Sequence, residues 1–410
     1  MELQNALTPR LEFIMMSQNF EPKPSIEWNN TEIAFKHLNN IELKRAFTLF
    51  SAMSSPGLTK FGTWLVGLAL KMHIPIKGLV KLTLFKQFCG GETIDECSKV
   101  VSMLASHKVG AVLDYAVEAK ESESDFDTTC EAIKNTITHA RGNILPFAVF
   151  KMTGVARFNL LQKVSEQIAL SEKEQEEWQL VTNRVTSIVK HARDSKVKIL
   201  IDAEESWIQP AIDRVVEDLM RAYNQDDAVV FHTIQLYRTD RLAYLQKLLD
   251  HAKSHNYTVG AKLVRGAYME KERERAAKLG YPSPIQANKE ATDRDFNAAL
   301  NLYNKYSKNL SIFAGTHNEK STQLLASIAR DSKLSDGKAI VFSQLYGMSD
   351  HLSFNLAAHG FPVSKYLPFG PVKEAIPYLF RRAAENTSVG GQVSRELKLI
   401  KAEMKRRKLG

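Results

Sequence analysis

From Val197 the chain reads Val-Lys-Ile-Leu-Ile-Asp-Ala203, passes through Glu204-Glu-Ser-Trp207, runs amphipathically from Ile208 to Tyr223, and returns to Val229-Val-Phe-His-Thr-Ile-Gln-Leu236. The two apolar runs are short and rich in β-branched residues, as strands buried on both faces are. The segment between them has helical periodicity. A strand, a helix and a second strand make a parallel unit, because the helix carries the chain back to the end of the sheet where it began.

The same alternation extends to both sides. Strand candidates are Val109–Val117, Phe147–Met152, Val197–Ala203, Val229–Leu236, Thr258–Val264, Leu310–Ala314, Ala339–Leu345 and Pro362–Leu367, with helices over Glu174–Ala192, Ile208–Tyr223, Arg241–His255, Ala291–Lys305 and Lys320–Ser332. Eight repeats predict an α/β fold with a closed parallel barrel rather than an open sheet. The acidic segment Glu118–Thr129 reads as a loop or a poor helix.

Upstream, residues 1–105 form a helical region. Pro22 and Pro24 mark a loose entry, and Ile33, Phe35, Leu38, Ile41, Leu43, Ala46, Phe47 and Phe50 recur at helical spacing. An apolar helix follows over Trp64–Met72. Gly90-Gly91 breaks the pattern before Glu92-Thr93-Ile94 opens the next helix. The organisation expected is thus a helical region over 1–105, a barrel over 106–390 and a basic tail over 391–410.

The 410 residues carry 44% hydrophobic and 25% charged residues and a net charge of +9, which suits a soluble chain with a large core. The positive charge is spread out except for Lys401, Lys405, Arg406, Arg407 and Lys408. No nucleic-acid-binding module or aromatic–basic interleaving accompanies it, so nucleic acid is not expected as a partner. The tail reads first as a solvated helix end, and peripheral contact with an anionic membrane stays open. Cys89, Cys97 and Cys130 show neither C-x-x-C nor histidines at zinc spacing, which predicts a reducing, cytoplasmic setting without disulfides or a metal site. No secretory signal opens the chain, and Phe61–Leu70 is too short to cross a bilayer.

Barrels of this kind keep their chemistry at the carboxyl ends of the strands. Those ends carry Lys151, Asp202, Gln235, Lys262 with Arg265, Gly315-Thr316-His317-Asn318, Gln344 and Tyr366. Taken singly, Asp202 could be a helix cap, a lysine could be merely exposed, and His317 could be a satisfied structural histidine. Together they line seven strand mouths with charged or hydrogen-bonding groups. No G-x-G-x-x-G follows a strand and there is no P-loop, so a Rossmann cofactor mode is not expected. Gly266-Ala267 and Gly315 are small enough for backbone to approach a bulky ligand. Lys262, Arg265 and His317 could meet a pyrophosphate or a reduced flavin ring.

Gly370-Pro371 turns into a last helix on which Tyr378, Arg381, Arg382 and Glu385 share a face at i, i+3, i+4 and i+7. Two adjacent guanidiniums beside a tyrosine suit bidentate capture of a carboxylate. A basic surface face with a local Arg–Glu pair has the same spacing.

Together, Lys-Leu-Val-Arg-Gly-Ala-Tyr (262–268), Ile-Asp-Ala-Glu-Glu (201–205), Gly-Thr-His-Asn (315–318), Tyr-Leu-Pro-Phe-Gly (366–370) and Tyr-Leu-Phe-Arg-Arg-Ala-Ala-Glu-Asn (378–386) resemble the proline dehydrogenase family, in the family's order, over roughly residues 85–390. The resemblance implies a distorted (βα)8 TIM-like barrel holding FAD non-covalently, with the final helix over the active site. It implies that Arg381 and Arg382 clamp the carboxylate of L-proline, that Lys151 lies beside the substrate, and that Asp202 positions Lys151 and Tyr366. Tyr268 and Tyr366 would pack round the pyrrolidine ring. Glu118 would pair with Arg382 as a gate, and Glu385 would support the arginine face. For the flavin it implies Ala203, Gln235, Lys262, Arg265, Gly266, Ala267, Thr316 and His317. Many bacterial members have arginine where this chain has Lys262, so the contacts at flavin N5 are expected to differ.

The activity so implied is oxidation of L-proline to Δ1-pyrroline-5-carboxylate, with Asp202 and Lys262 as catalytic residues and electrons passed to a membrane quinone. Hydroxyproline oxidation, governed by the room left by Tyr366 and Tyr378, is the near alternative. A Schiff-base lyase with Lys151 as nucleophile, and a binding module without a cofactor, are the more distant ones. No second, aldehyde dehydrogenase domain is read, and the chain is expected to be monofunctional.

Overall fold

The computed structural model describes residues 26–55, 77–115, 121–331, 336–388 and 392–409, with positions 57, 62, 65, 72 and 333 besides. Eight strands form a closed parallel barrel in chain order. They are β1 Val109–Tyr115, β2 Phe147–Lys151, β3 Lys198–Asp202, β4 Val230–Gln235, β5 Val259–Val264, β6 Leu310–Gly315, β7 Ile340–Leu345 and β8 Val363–Phe369. Each strand falls within a residue or two of a run picked out by its apolar residues.

Among the described residues, α1 Thr31–Phe35, α2 Asn40–Met53 and α3 Ile94–Ser106 precede β1, with short helical segments Lys77–Val80, Lys81–Phe85 and Lys86–Phe88 between α2 and α3. Among the described residues, eight helices of eight residues or more lie between β1 and β7: α4 Glu123–Ala140, α5 Phe158–Ser165, α6 Glu172–Asp194, α7 Gln209–Tyr223, α8 Arg241–Ser254, α9 Met269–Leu279, α10 Lys289–Asn301 and α11 Glu319–Arg330. The last three are α12 Asp350–Ala358, α13 Val372–Ser388 and α14 Gln392–Arg406. The described chain divides into two compact units, one of residues 121–343 and one of residues 26–115 with 344–409.

In the first unit alternate residues of each strand face the barrel interior. Phe147 of β2 meets Phe231 of β4 at 5.4 Å and Phe313 of β6 at 5.1 Å between ring centroids. Rings from alternate strands thus form one apolar layer, the packing that fills such barrels. Gly260 of β5 makes the room: a Cβ there would lie 2.8 Å from the Phe231 ring. Towards the carboxyl ends the same inward rows carry polar residues. Lys151 lies opposite Asp202 in register, and Thr233 opposite Lys262. The sheet therefore sets charged groups just above an aromatic floor.

The acidic segment expected to be a loop or poor helix is largely helix, because α4 begins at Glu123. Ser122 accepts from the backbone N–H of Asp125, and Glu123 and Asp125 stand in the first turn, where negative charge meets the helix dipole. Phe126, Ile133 and Ile137 then bury one face.

In the second unit the helical run expected over Ile33–Phe50 is two helices. Asn39 starts α2 with a capping box, its side chain accepting from Glu42 N–H while Glu42 accepts from Asn39 N–H. Segment 391–410, expected as a basic tail, is mostly the packed helix α14. Leu399 and Ile400 are buried with Phe35, Leu43, Phe50 and Leu379. Arg407 donates to the carbonyls of Phe35 and Leu38 at 2.8 and 2.7 Å and, with Arg406, holds the buried Glu403. Five basic residues in sequence conceal two that are structural.

Pro22, Pro24 and Glu118 lie outside the described residues, as does the apolar helix read over 64–72 apart from Leu65 and Met72. Among the described residues no helix is long and apolar enough to cross a membrane. Cys89, Cys97 and Cys130 are buried free thiols.

Candidate active site

At the carboxyl ends of β3, β4 and β5, the ammonium of Lys262 meets the carboxylate of Asp202 at 2.5 Å. Thr233, beside Lys262 in the sheet, points its hydroxyl at the same oxygen from 3.4 Å. Both charged side chains are largely buried, 7% exposed for Lys262 and 13% for Asp202. Burial strips water from the pair, so each charge depends on the other far more than a surface pair does. Lys151 ends β2 alongside Asp202. Two ammonium groups and one carboxylate thus occupy the carboxyl-end halves of β2, β3 and β5.

Strand β5 continues into Arg265, Gly266, Ala267 and Tyr268. The Arg265 guanidinium is held on three sides: Nε donates to Asp293 at 2.7 Å, Nη1 to the Thr316 hydroxyl at 2.7 Å, and Nη2 to the Ser321 hydroxyl at 3.0 Å. Its Cζ lies 4.4 Å from the centre of the Phe296 ring. Burial lowers the pKa of Arg265, and Asp293 opposes that. Gly266 has φ +142°, and a Cβ there would be 2.4 Å from the Tyr237 ring, so only glycine fits. Gly266 and Ala267 are themselves exposed. Ala267 donates its backbone N–H to Gln235 Oε1 at 3.2 Å, and Gln235 Nε2 donates to the Glu204 carbonyl at 2.8 Å. Gln235 therefore fixes the loop's backbone. Tyr268 precedes α9 as its half-buried cap residue. Ala203 is buried beside Asp202, Thr316 is buried after β6, and the Thr316 hydroxyl also accepts from the N–H of Asn318 at 3.1 Å. His317 is half-buried next to it.

Glu204 is buried against the same strand ends. Its oxygens accept from Thr153, the backbone N–H at 3.0 Å and the hydroxyl at 2.5 Å. Burial pushes its carboxyl up to about 7, against the opposing pull of Lys151 and of the Thr153 hydrogen bonds. Behind the strands, Asp213 takes His232 at 2.8 Å and Arg241 at 2.5 Å.

In the second unit Tyr366 lies in β8, paired in register with Val112, and its carbonyl accepts from the N–H of Tyr346 at 2.9 Å. Its neighbour Lys365 is buried and pairs with Asp350 at 2.7 Å, which His37 approaches at 3.3 Å. Burial pushes Asp350 upward, but Lys365 and His37 outweigh it and hold the carboxyl low. Helix α13 carries the arginine pair as expected. Tyr378 and Arg382 are buried, with the Arg382 Cζ 5.2 Å from the Tyr378 ring, and Arg381 is half-buried. Glu385 belongs to the same helix. Glu92 accepts from the N–H of Val372 at 3.4 Å where α13 begins, while pairing with Lys77 at 2.9 Å and Lys81 at 2.6 Å.

Residues 97–395 match the family model described as proline dehydrogenase. The chain belongs to the proline dehydrogenase family. It is similar to the carbapenem antibiotics biosynthesis protein CarD of Pectobacterium carotovorum, 36% identical over 327 residues that cover 79% of this chain and 84% of that one. It is also similar to the mitochondrial proline dehydrogenase 1 of Drosophila melanogaster, 39% identical over 57% of this chain and 36% of that protein. Proline utilization A from Bdellovibrio bacteriovorus, solved after inactivation by N-propargylglycine, shares the fold with a TM-score of 0.67 at 20% identity, covering 93% of this chain and 41% of that one. The matches thus cover less than half of the fly and Bdellovibrio proteins.

The first unit holds Asp202, Gln235, Lys262, Arg265 and Thr316 at or just beyond its strand ends. Hydrogen bonds gather them into three groups: Asp202 with Lys262 and Thr233, Gln235 with Glu204 and Ala267, and Arg265 with Asp293, Thr316 and Ser321. Sequence reasoning missed Glu204, Thr153 and Asp293. Glu204 stood in a quoted motif, but nothing in Glu204-Glu205 tells which carboxylate takes Thr153. Asp293 lies in α10, and only the fold aims it at Arg265.

Proposed function

We propose that this chain oxidises L-proline to Δ1-pyrroline-5-carboxylate with non-covalently bound FAD and passes the electrons to a membrane quinone. The observation that carries this reading is the buried Asp202–Lys262 pair beside the Arg265-Gly266-Ala267 loop, in a chain matched by the proline dehydrogenase model over residues 97–395.

The donor set fits a flavin dinucleotide. Arg265 is a fixed cation for a pyrophosphate, its side chain already oriented by Asp293, Thr316 and Ser321. Gly266 and Ala267 present backbone without bulk, held in place by Gln235. Ala203, Thr316 and His317 complete the cofactor set. The flavin, when bound, accepts the hydride that leaves C5 of proline.

The chain's own residues bind, orient and supply charge. Arg381 and Arg382 would take the substrate carboxylate, and Tyr268, Tyr366 and Tyr378 are the other residues assigned to the substrate; a carboxylate held by two guanidiniums fixes how the ring is presented. Glu118 and Glu385 would steady the arginines. Lys262 is the cation that stabilises negative charge on the reduced cofactor, and Asp202 keeps it aimed. Lys151 beside the substrate disfavours a second positive charge nearby, which helps keep the proline nitrogen neutral, as loss of hydride requires.

The test is spectroscopic. Purified protein should show flavin absorption bands that bleach when proline is added without oxygen and recover with a soluble quinone. Protein that stays colourless after incubation with FAD would overturn the reading. Comparing L-proline with 4-hydroxy-L-proline in the same assay separates the two dehydrogenase readings.

A further inference from the structure

Glu204 has no part in the reaction as set out above, yet it is tied to the ends of β2 and β4 and, through Gln235, to the loop after β5. Both carboxylate oxygens are taken by one residue, Thr153, which lies two positions after Lys151. The backbone of Glu204 is engaged as well. Its N–H donates to Gln209 Oε1 at 2.8 Å, and its carbonyl accepts from Gln235 Nε2, whose own Oε1 holds the N–H of Ala267. One buried residue thus connects the end of β2, the end of β4 and the loop after β5. The charged groups round it are few. Lys151 faces it from β2. Glu205 is adjacent and pairs with Lys271 of α9. Asp202 is two residues before and pairs with Lys262 of β5.

We propose that Glu204 is a positioning residue whose ionised form holds the Lys151–Thr153 turn, and with it Lys151, in the arrangement that proline oxidation needs. The inference rests on the reaction proposed above. A carboxylate can accept from both Thr153 donors at once. The neutral acid turns one oxygen into a hydroxyl, a weaker acceptor, and Lys151 loses its negative neighbour in the same step. Proton uptake at one buried atom therefore loosens the turn and changes the charge beside the substrate. A plain structural role would give the same loss of activity at every pH.

The experiment measures kcat/KM for proline against pH in the holoenzyme and two variants, with flavin content recorded for each. The wild type should show an acid-side inflection near the Glu204 value of about 7. Glu204→Gln should lose that inflection. Thr153→Val, which removes the hydroxyl that stabilises the carboxylate, should move it upward by about one unit. Should Glu204→Gln fail to hold flavin, the direction of the Thr153→Val shift decides alone. The ionisation is also read without turnover, as a carboxylic C=O infrared band that titrates near the same pH in wild-type protein, persists to higher pH in Thr153→Val and is absent from Glu204→Gln. An inflection that survives in Glu204→Gln or stays put in Thr153→Val overturns the inference and leaves the reaction standing. A titrating band in a protein that does not oxidise proline overturns the reaction instead.

Discussion

Exchanging Asp202 for asparagine removes the charge that Lys262 meets at 2.5 Å while keeping side-chain shape. The ammonium it leaves is 7% exposed, so water cannot replace the lost partner. Breaking such a buried pair from one side costs about 3–5 kcal/mol. The asparagine oxygen still accepts from Lys262 and Thr233, which returns about 1 kcal/mol and puts the expected loss near the lower end, about 3 kcal/mol. Lys262→Met removes the ammonium instead, and because Lys151 stands next to Asp202 in register its cost should be smaller, about 2 kcal/mol. The double variant buries no unpaired charge from the couple and should lose only about 1–2 kcal/mol, well short of the sum of the singles. Urea unfolding of the three variants and wild type at neutral pH, followed by circular dichroism, measures the cycle. Single costs that add to within about 0.5 kcal/mol would show that the two groups do not act as a unit. Each single variant should also lower kcat/KM for proline.

Three further outcomes follow from the same structure. Gly266→Ala forces a Cβ to within 2.4 Å of the Tyr237 ring at φ +142°, and Tyr237 is pinned by the Arg265 carbonyl and the Gln286 N–H; we expect a loss of about 2–4 kcal/mol and weaker FAD retention, and an unchanged melting temperature would refute it. Burial raises the Asp213 carboxyl, but the hydrogen bond and charge of His232 and the charge of Arg241 outweigh it and hold the group at about 2, against an ordinary value of 3.8. A lowered carboxyl contributes stability that is present above 3.8 and is lost as pH falls through about 2, so Asp213→Asn should flatten the acid limb of the stability profile; an identical limb in both proteins would count against it. Arg407→Met removes donors from the Phe35 and Leu38 carbonyls and from Glu403, and should cost about 2–4 kcal/mol in thermal or urea unfolding, whereas a surface-tail residue would cost under about 0.5 kcal/mol.

The barrel was legible because parallel strands buried on both faces leave a strong local trace: runs such as Ile199–Ile201 and Phe231–Ile234 are apolar throughout, and amphipathic helices separate them. The strand-end residues were legible for a related reason, since a charged residue that closes an apolar run marks the end of the strand, where such barrels keep their polar groups. Gly266 could be singled out as small, but not as the one residue that clears Tyr237. The helix bearing Tyr378, Arg381 and Arg382 was visible from its spacing alone.

Which charge meets which was decided only by tertiary structure. Lys262 and Asp202 are sixty residues apart in sequence and become partners because β3 and β5 flank β4 in the barrel and bring the two side chains together beside Thr233. Glu204 and Glu205 look alike in the chain, yet one is held by Thr153 and the other by Lys271. The closing basic residues read as a tail until the fold turns two of them onto Glu403 and the backbone of the first helices. Apolar periodicity is local and survives in the sequence, whereas a side chain's partner and its exposure to water depend on residues the chain brings up from elsewhere.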